Sequence, residues 1–403
     1  MIDPQLRFVC LEERRGKRAE LKSVFSALGD TLWLIAPPLS KTDYPESEAR
    51  AQEAYDRRKD PAASGFMRML KLSLLKWQYN GARSLFERRQ DGIAVAWNAQ
   101  AGHRYAFMQG AHDAGAQCLF LELGPFPGTI TADPCGVNFV NGLPREIAPY
   151  LVWRAQTPRT GPGWRSLADT IRQRAASGEA KPNAAALPPL DAPFVFAPLQ
   201  TPGDSQLRLF GGRHRTVEDF VTSLVRTSAA LPEGWHMRIK EHPTAEVSLA
   251  EFITREAQGS RVFLDNETDT FAQVRAARAV VTVNSSVGLE AMCFDKPVIA
   301  TGQCFWAIAG VADHAMDDET LSRLLADCDA LTFDPVARDA FLGFLFDEYY
   351  PRLRAPQPPG IDLSAELEKL RLRLRPPTGH PIWSWRRPEA PGPETQRDGH
   401  GVR

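Results

Sequence analysis

The sequence predicts an α/β protein built from two doubly wound, Rossmann-like domains that face a central cleft. Three observations lead there. The chain has 403 residues, more than one hydrophobic core usually serves. Short apolar runs alternate with amphipathic helical stretches in both halves, the rhythm of βαβ units in parallel sheets. Between the halves, "QTPRTGPGW" and "EAKPNAAALPPLDAP" surround one short helix and read as a linker. The expected organisation is an α/β domain at 1–154, a linker at 155–192, a second α/β domain at 193–345, C-terminal helices at 346–375, and a disordered tail at 376–403.

In the first half, "LRFVCLE" (Leu6 to Glu12) reads as a strand and "GKRAELKSVFSALG" as a helix, with Leu21, Val24, Phe25 and Leu28 at helical spacing. "TLWLIAPP" (Thr31 to Pro38) is a second strand, stopped by its prolines. A long helix then carries an apolar stripe through Met67, Leu70, Leu74, Trp77 and Leu85. The plain reading packs this stripe on the sheet. The alternative is a surface for a membrane or an acceptor, because Lys71, Lys76, Arg83 and Arg88 flank it. "GIAVAWN" and "CLFLELG" are buried strands on either side of a helix, and "PFPGTITADPCGVNFVNGLPRE" follows as a long loop. Loops at the carboxyl ends of parallel strands are where α/β proteins place their sites.

The second half repeats the rhythm: strands "FVFAPLQ", "WHMRIKEHP", "RVFLD", "AVVTVN" and "KPVIATG" alternate with helices. Two such domains across a linker resemble the GT-B arrangement of many nucleotide-sugar glycosyltransferases, an analogy of fold alone. The tail after Pro376 is rich in Pro, Gly and charge. Trp383 and Trp385 are unexpected in such a segment and could dock on the body.

The composition is that of a soluble globular chain, 43% hydrophobic and 24% charged, with a formal net charge of -1 that carries no global nucleic-acid footprint. None of the six cysteines forms a CxxC pair or sits near a histidine at zinc spacing, so buried free thiols in a reducing compartment are expected. The N-terminus lacks the pattern of a signal peptide and no stretch reaches the length of a membrane span. A cytoplasmic protein is the expectation, with peripheral contact at the inner membrane left open. No GxGxxG follows a predicted strand, which argues against a dinucleotide-binding protein.

Four constellations bear on chemistry. Asn284-Ser285-Ser286-Val-Gly288 stands where an apolar strand becomes a helix. Ser285 or Ser286 can cap that helix, its amides suit a phosphate, and Gly288 would let the backbone approach closely. Glu290 falls in the first turn, where plain dipole complementation also explains it. "RIKEHP" ends a strand on Lys240 and His242, which could face a phosphate or a leaving group. In "FAPLQTPGDSQL", Gln200 ends a strand and Gly203-Asp204-Ser205 form a turn. An Asx turn explains this without chemistry, whereas the functional reading puts the Asp204 carboxylate in the cleft. Glu122 in "LFLELG" lies at a strand end, either surface-facing or suited to acid/base work.

Together these pieces resemble the capsule polysaccharide biosynthesis family, which includes bacterial retaining β-Kdo transferases of the capsule lipid linker. The matching blocks are "LELG…TIT…GVN…LPRE", "LQTPGDSQL", "IKEHP" and "VNSSVGLEAMCFDKPVIATGQCFWAIAG", in the family's order. The loop "GPFPGTIT" departs from it, lacking the Arg-Pro pair that close β-Kdo transferases tend to carry. The resemblance implies a GT-B fold, CMP-Kdo as donor substrate, no cofactor beyond it and no metal. By position it implies Asp204 as nucleophile, Glu122 as acid/base and His242 as a third catalytic group. Gln200, Ser205, Lys240, Asn284, Ser285, Ser286, Gly288 and Glu290 would form the substrate-binding set. It further implies a C-terminal domain that binds the nucleotide sugar and an N-terminal domain that takes a lipid or glycan acceptor. Peripheral contact with the inner membrane or a capsule assembly complex is the corresponding partner expectation. Two alternatives remain at this point: a UDP-sugar-dependent enzyme on the same fold, and a non-catalytic capsule assembly or export component.

Overall fold

A computed structural model describes residues 6–12, 15–59, 64–158, 161, 163–172, 187–353 and 362–383. The first sheet holds β1 (Leu6–Leu11), β2 (Gly29–Leu34), β3 (Gly92–Trp97), β4 (Cys118–Leu123) and β5 (Ile130–Asp133), in the order β2-β1-β3-β4-β5. The second holds β6 (Phe194–Pro198), β7 (His236–Lys240), β8 (Val262–Leu264), β9 (Ala279–Thr282), β10 (Val298–Ala300) and β11 (Asp313–His314), in the order β11-β10-β9-β6-β7-β8. Every pairing is parallel except β4 with β5. β3, β6, β7 and β9 are buried along their whole length, so they read as continuous apolar runs rather than alternating ones. The exception is β7, where His236, Arg238 and Lys240 share one face. Arg238 there meets Asp265 at 2.6 Å in a fully buried ion pair.

The two mainly parallel, Rossmann-like sheets agree with the expected fold class, with several departures from the sequence reading. The stretch read as one long loop after β4 contains β5. Its last residue, Asp133, accepts amide N–H groups from Cys135, Gly136 and Gly142 and the Tyr349 hydroxyl at 3.0 Å. Burial raises the Asp133 carboxyl above the ordinary carboxylate range against those bonds. The stripe Met67, Leu70, Leu74 and Trp77 does not pack on the sheet. It faces outward, while the helix Gly65–Arg88 buries Leu75, Tyr79, Ala82 and Phe86 instead. Of the stripe, only Leu85 packs against the core.

Part of the expected linker is core: Trp164, Leu167 and Ile171 are buried, and Trp164 Nε1 donates to Asp339 Oδ1 at 3.0 Å. The helix Pro335–Phe344 packs Phe341 and Phe344 against Tyr150 and Trp153 of the helix Ala148–Gln156. The chain then crosses back, and the helix Leu363–Leu374 places Leu367, Leu370 and Leu374 in the core of the first sheet. The tail expected to be disordered from 376 packs through 383. Ile382 is buried and Trp383 stacks on Tyr349 with ring centroids 6.1 Å apart. Trp385 lies outside the described residues.

Candidate functional site

The carboxyl ends of both sheets open on one cavity of about 360 Å³. Gln200, Asp204 and Ser205 follow β6, His242 follows β7, and Asn284, Ser285 and Ser286 follow β9. Glu122 and Asn98, at the ends of β4 and β3, line the same cavity from the other sheet. Loops at these ends converge because parallel strands with crossover helices place all their carboxyl termini on one edge.

On the C-terminal wall, Asp204 caps the short helix Ser205–Phe210: its Oδ1 accepts the Gln206 amide N–H at 2.8 Å. The Gln200 side-chain amide donates both to Asp204 Oδ2 at 3.2 Å and to Asn284 Oδ1 at 3.1 Å. The Asx turn and the cleft-facing carboxylate therefore coexist in one residue. Ser285 is the helix cap, its Oγ accepting the Val287 N–H at 3.2 Å. Among the described residues the Ser286 hydroxyl has no such engagement and lines the cavity. The Thr244 amide donates to His242 Nδ1 at 3.2 Å. An amide can only donate, so in the neutral ring Nε2 carries the hydrogen. Cys304 also lines the cavity, but burial pushes its thiol up to about 12, so it stays protonated at neutral pH.

On the N-terminal wall, Glu122 Oε1 accepts the Leu123 N–H at 2.8 Å and Oε2 accepts Asn98 Nδ2 at 2.6 Å. Asn98 and Ala99 adopt left-handed backbone, with φ of 59° and 55°, as does Asn138, another lining residue, at 58°. For Ala99 this conformation costs about 1–2 kcal/mol, and such strain gathers at functional sites. Asn98 went unnoticed in the sequence. Its signal was a carboxamide ending a wholly apolar strand.

Three expected site residues stand elsewhere. Lys240 does not line the large cavity: its ammonium donates to the carbonyls of Asn266 and Thr268 at 2.5 and 2.8 Å, bracing that turn. Burial lowers its pKa, opposed by the nearby Asp265 and Asp269 charges. Gly288 lines neither the large cavity nor the smaller recess beside it, and a Cβ there would lie 2.7 Å from the Trp306 ring and 2.9 Å from Thr282 Cγ2. Its missing side chain makes room for Trp306. Glu290 is buried and faces a smaller recess, which also contacts Lys240, Thr270 and Phe271 and joins the large cavity through His242, Ser285 and Ser286. Neighbouring Glu241 was also missed. Its carboxylate accepts Ser248 Oγ, the Leu249 amide and Asn266 Nδ2, which makes it a brace for the loop below His242. Among the described residues no group of three or more His, Cys, Asp or Glu side chains could hold a metal ion.

Residues 159–329 match the family described as "Capsule polysaccharide biosynthesis protein". Protein FixF of Sinorhizobium fredii is 32% identical over 247 residues, which is 61% of this chain and 57% of FixF. Capsule polysaccharide export protein KpsS of Escherichia coli is 28% identical over 129 residues, 30% of this chain and 33% of KpsS. The chain thus covers less than two thirds of either curated relative. Among solved structures, Thermosulfurimonas dismutans KpsC, beta Kdo 2,7 transferase, is 13% identical with a TM-score of 0.49, covering 90% of this chain and 98% of that one. The matched stretch holds Gln200, Asp204, His242 and Asn284 to Ser286. Glu122 and Asn98 come from outside it, so the opposite wall of the cleft is the part that the family match does not reach.

Proposed function

We propose that this chain is a retaining glycosyltransferase of capsule or surface polysaccharide synthesis, moving Kdo or a related acidic sugar from a CMP donor to a lipid or glycan acceptor. The observation that carries this reading is the pair of carboxylates, Asp204 and Glu122, on opposite walls of one cavity beside Ser286 and His242. In the proposed sequence Asp204 attacks the anomeric carbon, the bond to the CMP oxygen breaks, and its electron pair leaves on the phosphate. Glu122 then takes the proton of the acceptor hydroxyl as that oxygen displaces the Asp204 carboxylate. Two inversions give net retention. The His242 Nε2–H and the Ser286 hydroxyl would offset charge on the departing phosphate, so the protein side supplies the stabilisation that the leaving group needs.

Intact-mass measurement after mixing the protein with CMP-Kdo tests the reading. A covalent sugar adduct that maps to Asp204 is expected. Turnover with UDP-sugars and none with CMP donors would overturn the donor. Capsule output that survives Asp204→Ala but not Ser286→Ala would replace catalysis by glycan binding.

A further inference from the structure

The outward stripe on the helix Gly65–Arg88 has no partner within the described residues. Phe66 is 65% exposed, Met69 57%, Leu70 46%, Met67 45%, Leu74 44% and Trp77 38%. The helix is anchored by its second half, where Tyr79, Ala82 and Phe86 are fully buried, and residues 64–70 are all exposed, with Arg68 reaching back over the Tyr55 ring. Leu39, 60% exposed, extends the patch, because the Ser40 amide donates to the Trp77 carbonyl at 3.0 Å.

We propose that this face docks on an anionic phospholipid surface. At about 100° per residue the six side chains fill a sector of roughly 160°. That is much wider than the narrow seam by which two helices pair. Lys71 lies on one rim of the sector and Lys76 on the other. Rim cations of this kind let an interfacial helix sink its apolar face while the ammonium groups stay at headgroup level. No Asp or Glu occurs between Gly65 and Phe86. Of the helix's cations, Lys76 is paired with Asp43 and Glu48, and Arg83 with Glu46 and Glu87. Lys71 has no carboxylate partner among the described residues, and Lys41 sits 5.8 Å from the Trp77 ring centroid, adding a further cation beside the patch. Lys71 and Lys41 are the cations that complement an anionic bilayer surface. No helix among the described residues is long and apolar enough to cross a membrane, so the contact runs along the surface.

The patch also lies near the cleft. Lys59 Cε is 2.7 Å from where a Cβ would stand on Gly203, next to Asp204. Five peptide steps separate Lys59 from Ser64, at most about 19 Å. A docked helix would therefore hold the cavity mouth close to the headgroups. The inference stands on the exposed helix alone and does not depend on the donor.

Co-sedimentation of the full chain with phosphatidylcholine vesicles, with and without phosphatidylglycerol, tests it. Binding to the anionic vesicles is expected, weakening as salt rises. Leu70→Gln with Leu74→Gln should lose about tenfold or more of that binding while the circular dichroism and melting temperature hold, since both side chains are exposed. Lys71→Glu, a charge reversal at a surface position, should lose at least about fivefold. Wild-type protein that ignores both vesicle types, or variants that bind as tightly as wild type, would overturn the proposal. So would a dimer in sedimentation velocity that the same double substitution dissolves without any vesicle binding, because the occupant would then be a second copy.

Discussion

Gln206 Nε2 donates to Gln100 Oε1 at 3.2 Å, joining the two walls of the cleft two residues from Asp204. The same short helix, Ser205–Phe210, sends Arg208 to the Arg57 carbonyl at 2.5 Å and sets Phe210 5.6 Å from the Phe139 ring. The segment that orients Asp204 is thus gripped by the opposite domain, so the carboxylate's position depends on this interdomain contact. Gln206→Ala should raise KM for the donor about 3- to 10-fold, the loss of one net hydrogen bond, and leave the melting temperature nearly unchanged. Steady-state kinetics beside a thermal melt checks this. A fall in melting temperature with unaltered KM would mean that the contact is structural only.

Asp204 has two duties that substitution can separate. Asn is as good a helix cap as Asp, so Asp204→Asn should keep the helix and the fold. Asp204→Ala should cost about 1 kcal/mol of stability as well. Both should lose at least about a thousandfold in transfer and form no covalent adduct, because neither side chain can act as the nucleophile. Chemical denaturation and intact mass, measured together, give both readings. Near-normal turnover by the Asp204→Asn variant would remove this carboxylate from the chemistry.

Asn98 holds Glu122 through a 2.6 Å bond from a left-handed backbone. Asn98→Gly keeps that conformation accessible and removes the donor to Glu122, together with the Oδ1 acceptor of the Gln100 N–H at 3.2 Å. We expect kcat to fall about 10- to 100-fold with little change in KM for the nucleotide donor, the mark of a group that orients the acid/base without touching the donor. Equal losses in both parameters would assign Asn98 to substrate binding.

The strand ends that build the cavity were legible because each breaks an apolar run with polar residues: Gln200 after β6, His242 after β7, Asn284 and Ser285 after β9. What the sequence concealed depends on distant partners. Asp133 looks like a loop residue until Tyr349 arrives from 216 positions away. The glycine at 288 reads as a phosphate seat until Trp306 fills the space beside it. The long helix misled because its buried face carries polar residues, Gln78, Asn80 and Ser84. Two of these are matched by hydroxyls, Ser47 Oγ on Asn80 at 2.5 Å and Tyr44 on Ser84 at 2.8 Å. Periodicity locates an apolar stripe, but it does not say which stripe faces inward.

Two buried histidines give the second domain a defined acid limit. Burial lowers both His214 and His236 to about 4, helped in each case by a neighbouring arginine, Arg213 and Arg238. Their unfolded values lie near 6.5. Between these limits the unfolded chain binds protons that the folded one refuses, so stability is complete above about pH 6.5 and declines as pH falls toward 4. Melting temperatures measured across that window should drop. The pair His214→Gln and His236→Gln should flatten the slope relative to wild type, whatever its absolute stability. An unchanged slope would locate the acid sensitivity elsewhere.

Gly288→Ala separates packing from ligand binding at the β9 turn. The added methyl would meet Trp306 carbons at 2.7 and 2.9 Å and Thr282 Cγ2 at 2.9 Å, inside the buried core. Overpacking of this kind costs about 1–3 kcal/mol. Trp306→Phe alone should also destabilise, by leaving a cavity. In combination the smaller ring should relieve the methyl, so the two losses should add to less than their sum, a coupling measurable in a double-mutant cycle of denaturation midpoints. If Gly288 instead served a bound phosphate, Gly288→Ala would weaken donor binding with or without Trp306→Phe, and the cycle would show additive stability terms.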